Sequence, residues 1–435
     1  MSILKSIATI REYRKDPMAF IKGLNEKNGH RSYVKIFHRE LIVLSHPDDI
    51  LHILKQNTAN YTKGRSTKAL KRIIGNGLIT SEGNFWRNQH KLIRPVMNVK
   101  SIMDFCHSMD EVTAKFLKET PDGVHDSLEL MNKLAWRIIL KTLFGQESNE
   151  KLDSWLHDVL FLMDEIVRKT RAIVPFPNWL PTERNRKFKE VMTNFDEFIY
   201  GLIKERKEGK PRRDLLQLLI DARDEDGQGV MSDQQIRDEA LTFLFAGHET
   251  ITNSMTWALI LLAQNQEYYS RLVQESDAFF KSKNFEELNN APWISACLDE
   301  VMRLNPPVWV LMREAQGADQ LGDLTINPKT NVVLAAFLTH NSKDFWEKPE
   351  RFYPERFLPE NKKSIKPGSY FPYGLGPRGC IGNYFATFES KIILAHLIRS
   401  FNWSIENKEV QTSSAGITHR PTNNIRMNFQ RKNLV

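Results

Sequence analysis

Cys380 is the residue of this sequence best placed to do chemistry. It lies in the run Phe371, Pro372, Tyr373, Gly374, Leu375, Gly376, Pro377, Arg378, Gly379, Cys380, Ile381, Gly382, where four glycines surround one sulfur and two prolines stiffen the chain. Glycine at that density permits positive φ and close backbone approach. Backbone N–H groups exposed around the sulfur favour its thiolate, as hydrogen bonds to a charged form do. From Tyr384, Phe385 and Ala386 to Leu397 the sequence reads as a helix, so the sulfur sits near a helix N-terminus, where negative charge is stabilised. Arg378, two residues before the cysteine, adds a cation suited to a carboxylate. A cysteine without such company is more often inert packing. Cys106 and Cys297 keep that plain reading: Cys297 falls on the apolar face of a helix, and Cys106 lies in a mixed helical stretch.

A second group of candidate residues interrupts the most apolar segment. Ser232 to Gln235 has the form of a capping box, and apolar residues then continue to about Leu262 without a proline. That is roughly thirty residues, or about 45 Å of helix, long enough to cross the molecule as its central beam. Its middle reads Ala246, Gly247, His248, Glu249, Thr250. Gly247 costs about 1 kcal/mol relative to alanine inside a helix, and Thr250 can bond back to a carbonyl. The plain reading is close helix packing with a satisfied threonine. Two helix-weakening residues beside a charged one in this setting also mark a functional break.

The elements that must position these groups are mostly helical. Strand-like runs occupy Ser32 to Leu44, Asn331 to Leu338 and the C-terminal tail, and the His46, Pro47, Asp48, Asp49 cluster opens a helix. Between about Pro47 and Leu304 helical periodicity prevails, with apolar faces at Val159, Leu162, Met163, Ile166 and at Leu215, Leu216, Leu219. The charge run Lys204 to Arg213 and the turn cluster Asp224 to Gly229 read as exposed connections. The expected fold is mainly α with a smaller β portion. The β-rich parts fall at about 30–60, 308–340 and 400–435, and the helical parts at about 47–304 and 382–399. No internal repeat or low-complexity segment is present.

The cysteine loop resembles the haem-binding signature of the cytochrome P450 superfamily of haem-thiolate monooxygenases, soluble microbial type, which runs Phe-x-x-Gly-x-Arg-x-Cys-x-Gly. Gly376, Arg378, Cys380 and Gly382 match, and Tyr373 stands at the phenylalanine position. Its hydroxyl bears on the reduction potential, since polarity around a ligating sulfur tunes the metal. The segment around Glu249 and Thr250 resembles the family's oxygen-activation pair, with Ile251 where a second threonine is often found. Glu300 and Arg303 are similar to the family's Glu-x-x-Arg helix. They share one face opposite Ile294, Cys297, Leu298 and Val301; the plain reading is a solvated pair worth little, and the resemblance implies instead a structural role, locking the haem side of the fold. Pro354, Glu355, Arg356 and Phe357 match the motif whose arginine completes that network. The loop Gly75 to Trp86 resembles the approach to a helix patterned Trp-x-x-x-Arg. Trp86 matches, His90 replaces the arginine, and Arg87 or Lys91 are the neighbouring cations that could compensate. The likeness runs from about residue 30 to 420, with the motifs in order.

The resemblance implies a single domain over 1–435 with the cytochrome P450 fold, a triangular helical prism with a long central helix and small β-sheets. It implies haem b (iron protoporphyrin IX) ligated by Cys380 and contacted by Trp86, His90, Ala246, Gly247, Arg313, Tyr373, Gly374, Arg378, Gly382 and Ala386. Thr250 then serves dioxygen activation, and Glu249 relays protons. The implied activity is that of an EC 1.14 monooxygenase, inserting one oxygen atom from O2 into an apolar substrate such as a fatty acid or terpenoid. Leu241, Phe245, Ala246, Val308, Val310, Leu311 and parts of Leu70 to Leu78 and Ile173 to Leu180 are the expected walls. Lys68, Lys71 and Arg72 are candidates to hold a fatty-acid carboxylate, against the plain reading of solvated loop charges. Two alternatives stand beside this: a peroxide-driven or rearranging haem-thiolate enzyme, which commonly lacks the Glu249–Thr250 pair, and a non-catalytic haem sensor.

Composition narrows the partners. Lys and Arg number 61 against 53 Asp and Glu, a formal net charge of +8 over 435 residues. That modest excess gives no sign of a nucleic-acid binder. No Gly-rich nucleotide fingerprint or iron–sulfur cysteine set is present, so electrons are expected from a separate ferredoxin or flavodoxin-type donor with its reductase, docking on a basic face that includes Lys91 and Arg94. Charges from Lys5 to Asp16 break up the N-terminal stretch, so no transmembrane anchor is expected. Three cysteines form no disulfide framework, which fits a cytoplasmic protein.

Overall fold

The computed structural model describes residues 3–37, 39–171, 179–223, 227, 229–407, 416, 418–421 and 425–432. Two helices, Ile3–Lys15 and Pro17–Asn28, open the chain; Asp16 separates them and caps the second by accepting from the Met18 and Ala19 N–H groups. Strands from distant parts of the sequence then meet in one five-stranded sheet. Its order is Arg31–Ile36, Arg39–Leu44, Asn331–Leu334, Leu311–Ala315, Tyr61–Thr62. Arg39–Leu44 lies parallel to Asn331–Leu334, and the other pairs are antiparallel. Gly123–Asp126, Arg426–Arg431 and Phe401–Ile405 form a second sheet, and Asp319–Leu321 pairs with Leu324–Ile326.

Helices make up the rest, and one runs through their middle. Asp233–Gln264 starts at the expected capping box: Ser232 Oγ accepts from the Gln235 N–H at 3.3 Å while Gln235 Oε1 accepts from the Ser232 N–H at 2.7 Å. Ile236, Leu241, Leu244, Met255, Ala258 and Leu259 are buried on its several faces. A helix apolar nearly all round must be surrounded. Its neighbours are Ser127–Phe144, Pro292–Leu304 and Asn383–Ser400, the last being the helix that follows Cys380.

Several expectations are corrected by packing. The strand at 331–338 stops at Leu334, and Ala336–Thr339 turns helical. The charge run is not wholly an exposed connection, because helix Glu183–Lys207 extends into it and Arg206 is buried, donating to Asp214 at 2.8 Å and to the Phe144 carbonyl at 3.2 Å. Of the turn cluster 224–229, only Gly227 and Gly229 fall among the described residues. Glu300 and Arg303 are fully buried rather than solvated. Arg303 grips Glu300 through two bonds, at 2.7 and 2.8 Å, and donates to the carbonyls of His340 and Pro349. Arg356 adds a contact to Glu300 at 3.5 Å, as the motif implies. This cluster ties helix Pro292–Leu304 to the stretch between His340 and Arg356. Among the described residues, no helix is long and apolar enough to cross a membrane.

Candidate active site

The loop around Cys380 is built on two left-handed glycines. Gly374 and Gly376 both adopt φ of +70°, and a Cβ on Gly376 would lie 1.8 Å from the Leu54 carbonyl oxygen. No other residue type fits there. The Gly374 N–H donates to Phe371 O at 2.9 Å, the Gly379 N–H to Gly376 O at 3.0 Å, and the Cys380 N–H to Tyr373 O at 2.7 Å, so the loop doubles back and presents the cysteine. Helix Asn383–Ser400 follows at once, with the Ala386 N–H bonded to Gly382 O at 2.9 Å. Burial pushes the Cys380 thiol above its ordinary range, and the Gly382 N–H works against that shift.

Cys380 opens onto a cavity of about 1220 Å³. Twelve of the thirteen expected site residues line it: Trp86, His90, Ala246, Gly247, Thr250, Arg313, Tyr373, Gly374, Arg378, Cys380, Gly382 and Ala386. Thr250 Oγ1 donates back to the Ala246 carbonyl at 2.7 Å, as a threonine within a helix can, and the helix continues unbroken through this point. Glu249 is the exception. Its carboxyl turns off the cavity wall toward Thr418, to which it is hydrogen-bonded, and lies within the field of Arg420. The apolar walls also differ in detail. Val308, Val310, Leu311, Leu70 and Leu78 line the cavity, whereas Leu241 and Phe245 face the helical core and Thr242 and Phe243 take their places. Of the Ile173 to Leu180 wall, positions 173–178 lie outside the described residues.

One flank of the cavity is cationic. Arg378 stacks on Trp86, with its guanidinium carbon 3.7 Å from the ring centroid, and binds the Ser81 carbonyl and Glu82. Arg313 is buried, which lowers its pKa, and its one described hydrogen bond goes to the Met312 carbonyl at 2.9 Å. His90 packs on Trp86, and burial, with Arg94 and Arg378 nearby, lowers its pKa, so it is neutral at pH 7 and donates from one nitrogen only. Arg87 and Lys91 do not compensate for the missing arginine: both are exposed, neither lines the cavity, and Arg87 is bonded to Asn84. Lys63 is a further basic residue on this wall. It lines the same flank, donates to Ile79 O at 2.7 Å, and burial, with Arg378 and Arg313 nearby, lowers its pKa to about 7. The sequence carries no local mark of this, since the chain reaches the flank from the edge of the sheet. Glu389 was also missed. It lines the cavity from the helix after the cysteine, and burial pushes it up to about 8. A lone acid between Phe388 and Ile392 is a sequence signal of the kind Glu249 gives.

These residues fit a metal held in a planar organic ligand that carries carboxylates. Among the described residues, no group of three or more His, Cys, Asp or Glu could hold a metal ion, so a metal at Cys380 must bring most of its own donors. A buried guanidinium with a single bond, as at Arg313, calls for an anion. Among the central-helix residues that line the cavity are the small Ala246 and Gly247.

A family model described as cytochrome P450 matches residues 3–429. Cyclooctatin synthase of Streptomyces melanosporofaciens is 27% identical over 388 residues, covering 87% of this chain and 84% of that protein. Cytochrome P450 4F6 of Rattus norvegicus is 30% identical over 435 residues, 92% and 81%, and the cytokinin hydroxylase of Arabidopsis thaliana is 30% identical over 391 residues, 85% and 75%. The crystal structure of the cytochrome P450DA heme domain superposes with a TM-score of 0.85 over 95% of this chain and 93% of that one, at 21% identity, and shows the fold. With the cysteine, the central helix and the cationic flank on one cavity, and with the family model matched over nearly the whole length, this chain belongs to the cytochrome P450 family of haem-dependent monooxygenases.

Proposed function

We propose that the cavity binds haem b with Cys380 as the thiolate ligand to iron, and that the protein inserts one oxygen atom from O2 into an apolar small molecule, a fatty acid, terpenoid or similar. The whole chain acts as one domain. Bound there, haem supplies the oxidising chemistry, which a thiolate ligand favours by donating electron density. Arg313, Arg378 and Lys63 hold its carboxylates, with Trp86 and His90 beside them. Thr250 presents its hydroxyl to the cavity and holds a proton donor next to the reacting oxygen, and Glu249 supplies protons from behind the helix. The apolar wall of Val308, Val310, Leu311 and Leu70 orients the substrate and keeps water out. Electrons come from a separate ferredoxin or flavodoxin-type donor. Exposed Lys91 and Arg94 support a dock for an acidic partner, since they belong to the segment that brings Met97 within 3.7 Å of where a Cβ on Gly382 would lie. The free, buried Cys106 and Cys297 support a reducing, cytoplasmic setting.

The observation that carries this reading is Cys380 opening onto the same cavity as Thr250 and the buried Arg313. The test is the carbon-monoxide difference spectrum of the reduced protein after reconstitution with haemin. Wild type gives the thiolate-type band, and Cys380→Ser loses it while keeping its helical circular dichroism. A wild type that takes up no haem, or whose pigment has the spectrum of an imidazole-ligated haem, overturns the reading.

A further inference from the structure

Behind the central helix, on the side away from the cavity, four buried polar atoms have no hydrogen-bond partner among the described residues: Glu249 Oε2, Trp257 Nε1, and both ring nitrogens of His419. They belong to one seam between the helix and the C-terminal segment. Thr418 and His419 are each 4% exposed, and the His419 ring lies against Trp257 with centroids 5.6 Å apart. The His419 backbone N–H donates to the Pro307 carbonyl at 2.8 Å, which holds the segment in place. A neutral imidazole has one N–H and one lone pair, and leaving both buried and unmatched costs about 1–3 kcal/mol each. Four such atoms in one seam are the setting that internal water satisfies, with about three hydrogen bonds per buried water.

Thr418 joins this seam to Glu249. Its Oγ accepts from Asn253 Nδ2 at 3.1 Å, and its hydroxyl is hydrogen-bonded to the Glu249 carboxyl. A hydroxyl has one proton to give and two lone pairs. With Asn253 on one lone pair, Thr418 donates to Glu249 and keeps the other lone pair for a water proton. The next residue, Arg420, is exposed, so two residues take the path from a buried carboxyl to the surface. Burial raises the pKa of Glu249, against the opposing pull of Thr418 and Arg420.

We propose that Thr418 and His419 form the outer half of the proton path to the cavity, with Thr418 as the positioning residue behind Glu249 and water held between His419 and Trp257. This rests on the proton-supplying role proposed above for Glu249. Each step moves one proton and no electrons: Glu249 gives its carboxyl proton toward Thr250, the Thr418 hydroxyl reprotonates the carboxylate, and Thr418 takes a proton from seam water.

The test uses the haem-loaded protein with dodecanoate as probe substrate and a plant-type ferredoxin with its reductase as surrogate donor, run in parallel with hydrogen peroxide as oxidant. Peroxide brings its own protons and bypasses the path. Thr418→Val, which keeps the shape and removes the hydroxyl, should cut O2-driven product by on the order of tenfold or more, the scale of a lost acid–base relay. It should also enlarge the solvent deuterium isotope effect and divert electrons into released peroxide. Peroxide-driven product and the carbon-monoxide spectrum should not change, and Thr418→Ser should restore the O2-driven rate. A crystal structure of the holoprotein should show ordered water on His419. A Thr418→Val protein with the wild-type rate and isotope effect overturns the proposal, as does equal loss of peroxide-driven product. If Glu249→Gln also turns over as wild type does, the role of Glu249 itself falls.

Discussion

The hydroxyl of Tyr373, set where the family pattern has phenylalanine, bonds to Thr387 Oγ1 at 3.3 Å within the proximal loop. Its influence on the sulfur is thereby blunted, because its dipole is committed elsewhere. Tyr373→Phe is therefore expected to lower unfolding stability by about 1 kcal/mol, the net worth of one buried hydrogen bond. The reduction potential and the carbon-monoxide band should stay in place. Denaturant unfolding and a spectroelectrochemical titration check both halves, and a displaced potential at unchanged stability contradicts the assignment. Residues of this loop were legible because each does something no other residue type does: Gly376 abuts a carbonyl, and Cys380 is the sulfur. Lys63 was not legible, because its role is set by burial on a flank that the folded chain creates, and lysines elsewhere in the sequence look the same. His90 stands between these cases. Its deviation from the pattern was readable, but the further basic residue on that wall lies 27 positions earlier in the sequence.

Elements were readable where local rules decide them and misread where tertiary contacts do. The capping box at Ser232 and the glycine-rich entry to helix Asn383–Ser400 are local, and both stand where expected. The Glu300–Arg303 pair reads as solvated from helix periodicity, because its partners, the carbonyls of His340, Pro349 and Arg351, come from a segment roughly forty to fifty residues away. Burial changes its energetics. An exposed pair of this kind contributes about 0.2–1 kcal/mol, whereas removing one member of a buried, fully bonded pair costs about 3–5 kcal/mol and strands the other charge. Arg303→Ala is expected to destabilise the protein on that scale and to lower the fraction that takes up haem. Arg303→Lys should recover little, since lysine cannot form the two-pronged bond. Equal midpoints in guanidinium unfolding for wild type and Arg303→Ala would mean that the clamp contributes nothing.

At the scale of the whole molecule, the cavity is a passage that several distant elements build together. It runs from Cys380 past the central helix to walls supplied by Tyr13 and Ile21 of the N-terminal helices, by Ile36 and Leu41 of the large sheet, and by helix Lys68–Ile74. Lys68 and Arg72 line it while remaining exposed, which puts them where an entering molecule meets solvent. Lys71, the third cation of that group, does not line the cavity and is bonded to Asn76 at 2.8 Å. An apolar passage with cations at its wet end suits a long chain ending in a carboxylate. Fatty acids should then bind more tightly than the alcohol of equal length, by roughly tenfold, the equivalent of one charge-assisted hydrogen bond of about 1.4 kcal/mol. Spectral titration with dodecanoate and dodecanol measures the ratio. Lys68→Ala combined with Arg72→Ala should erase the preference for the acid without weakening the alcohol, and the preference should shrink with added salt because these charges are screened. Lys71→Ala, on the same helix but off the passage, should leave the ratio as it is. If the double variant keeps the preference, the carboxylate is read deeper in the cavity and the outer cations are only surface charge.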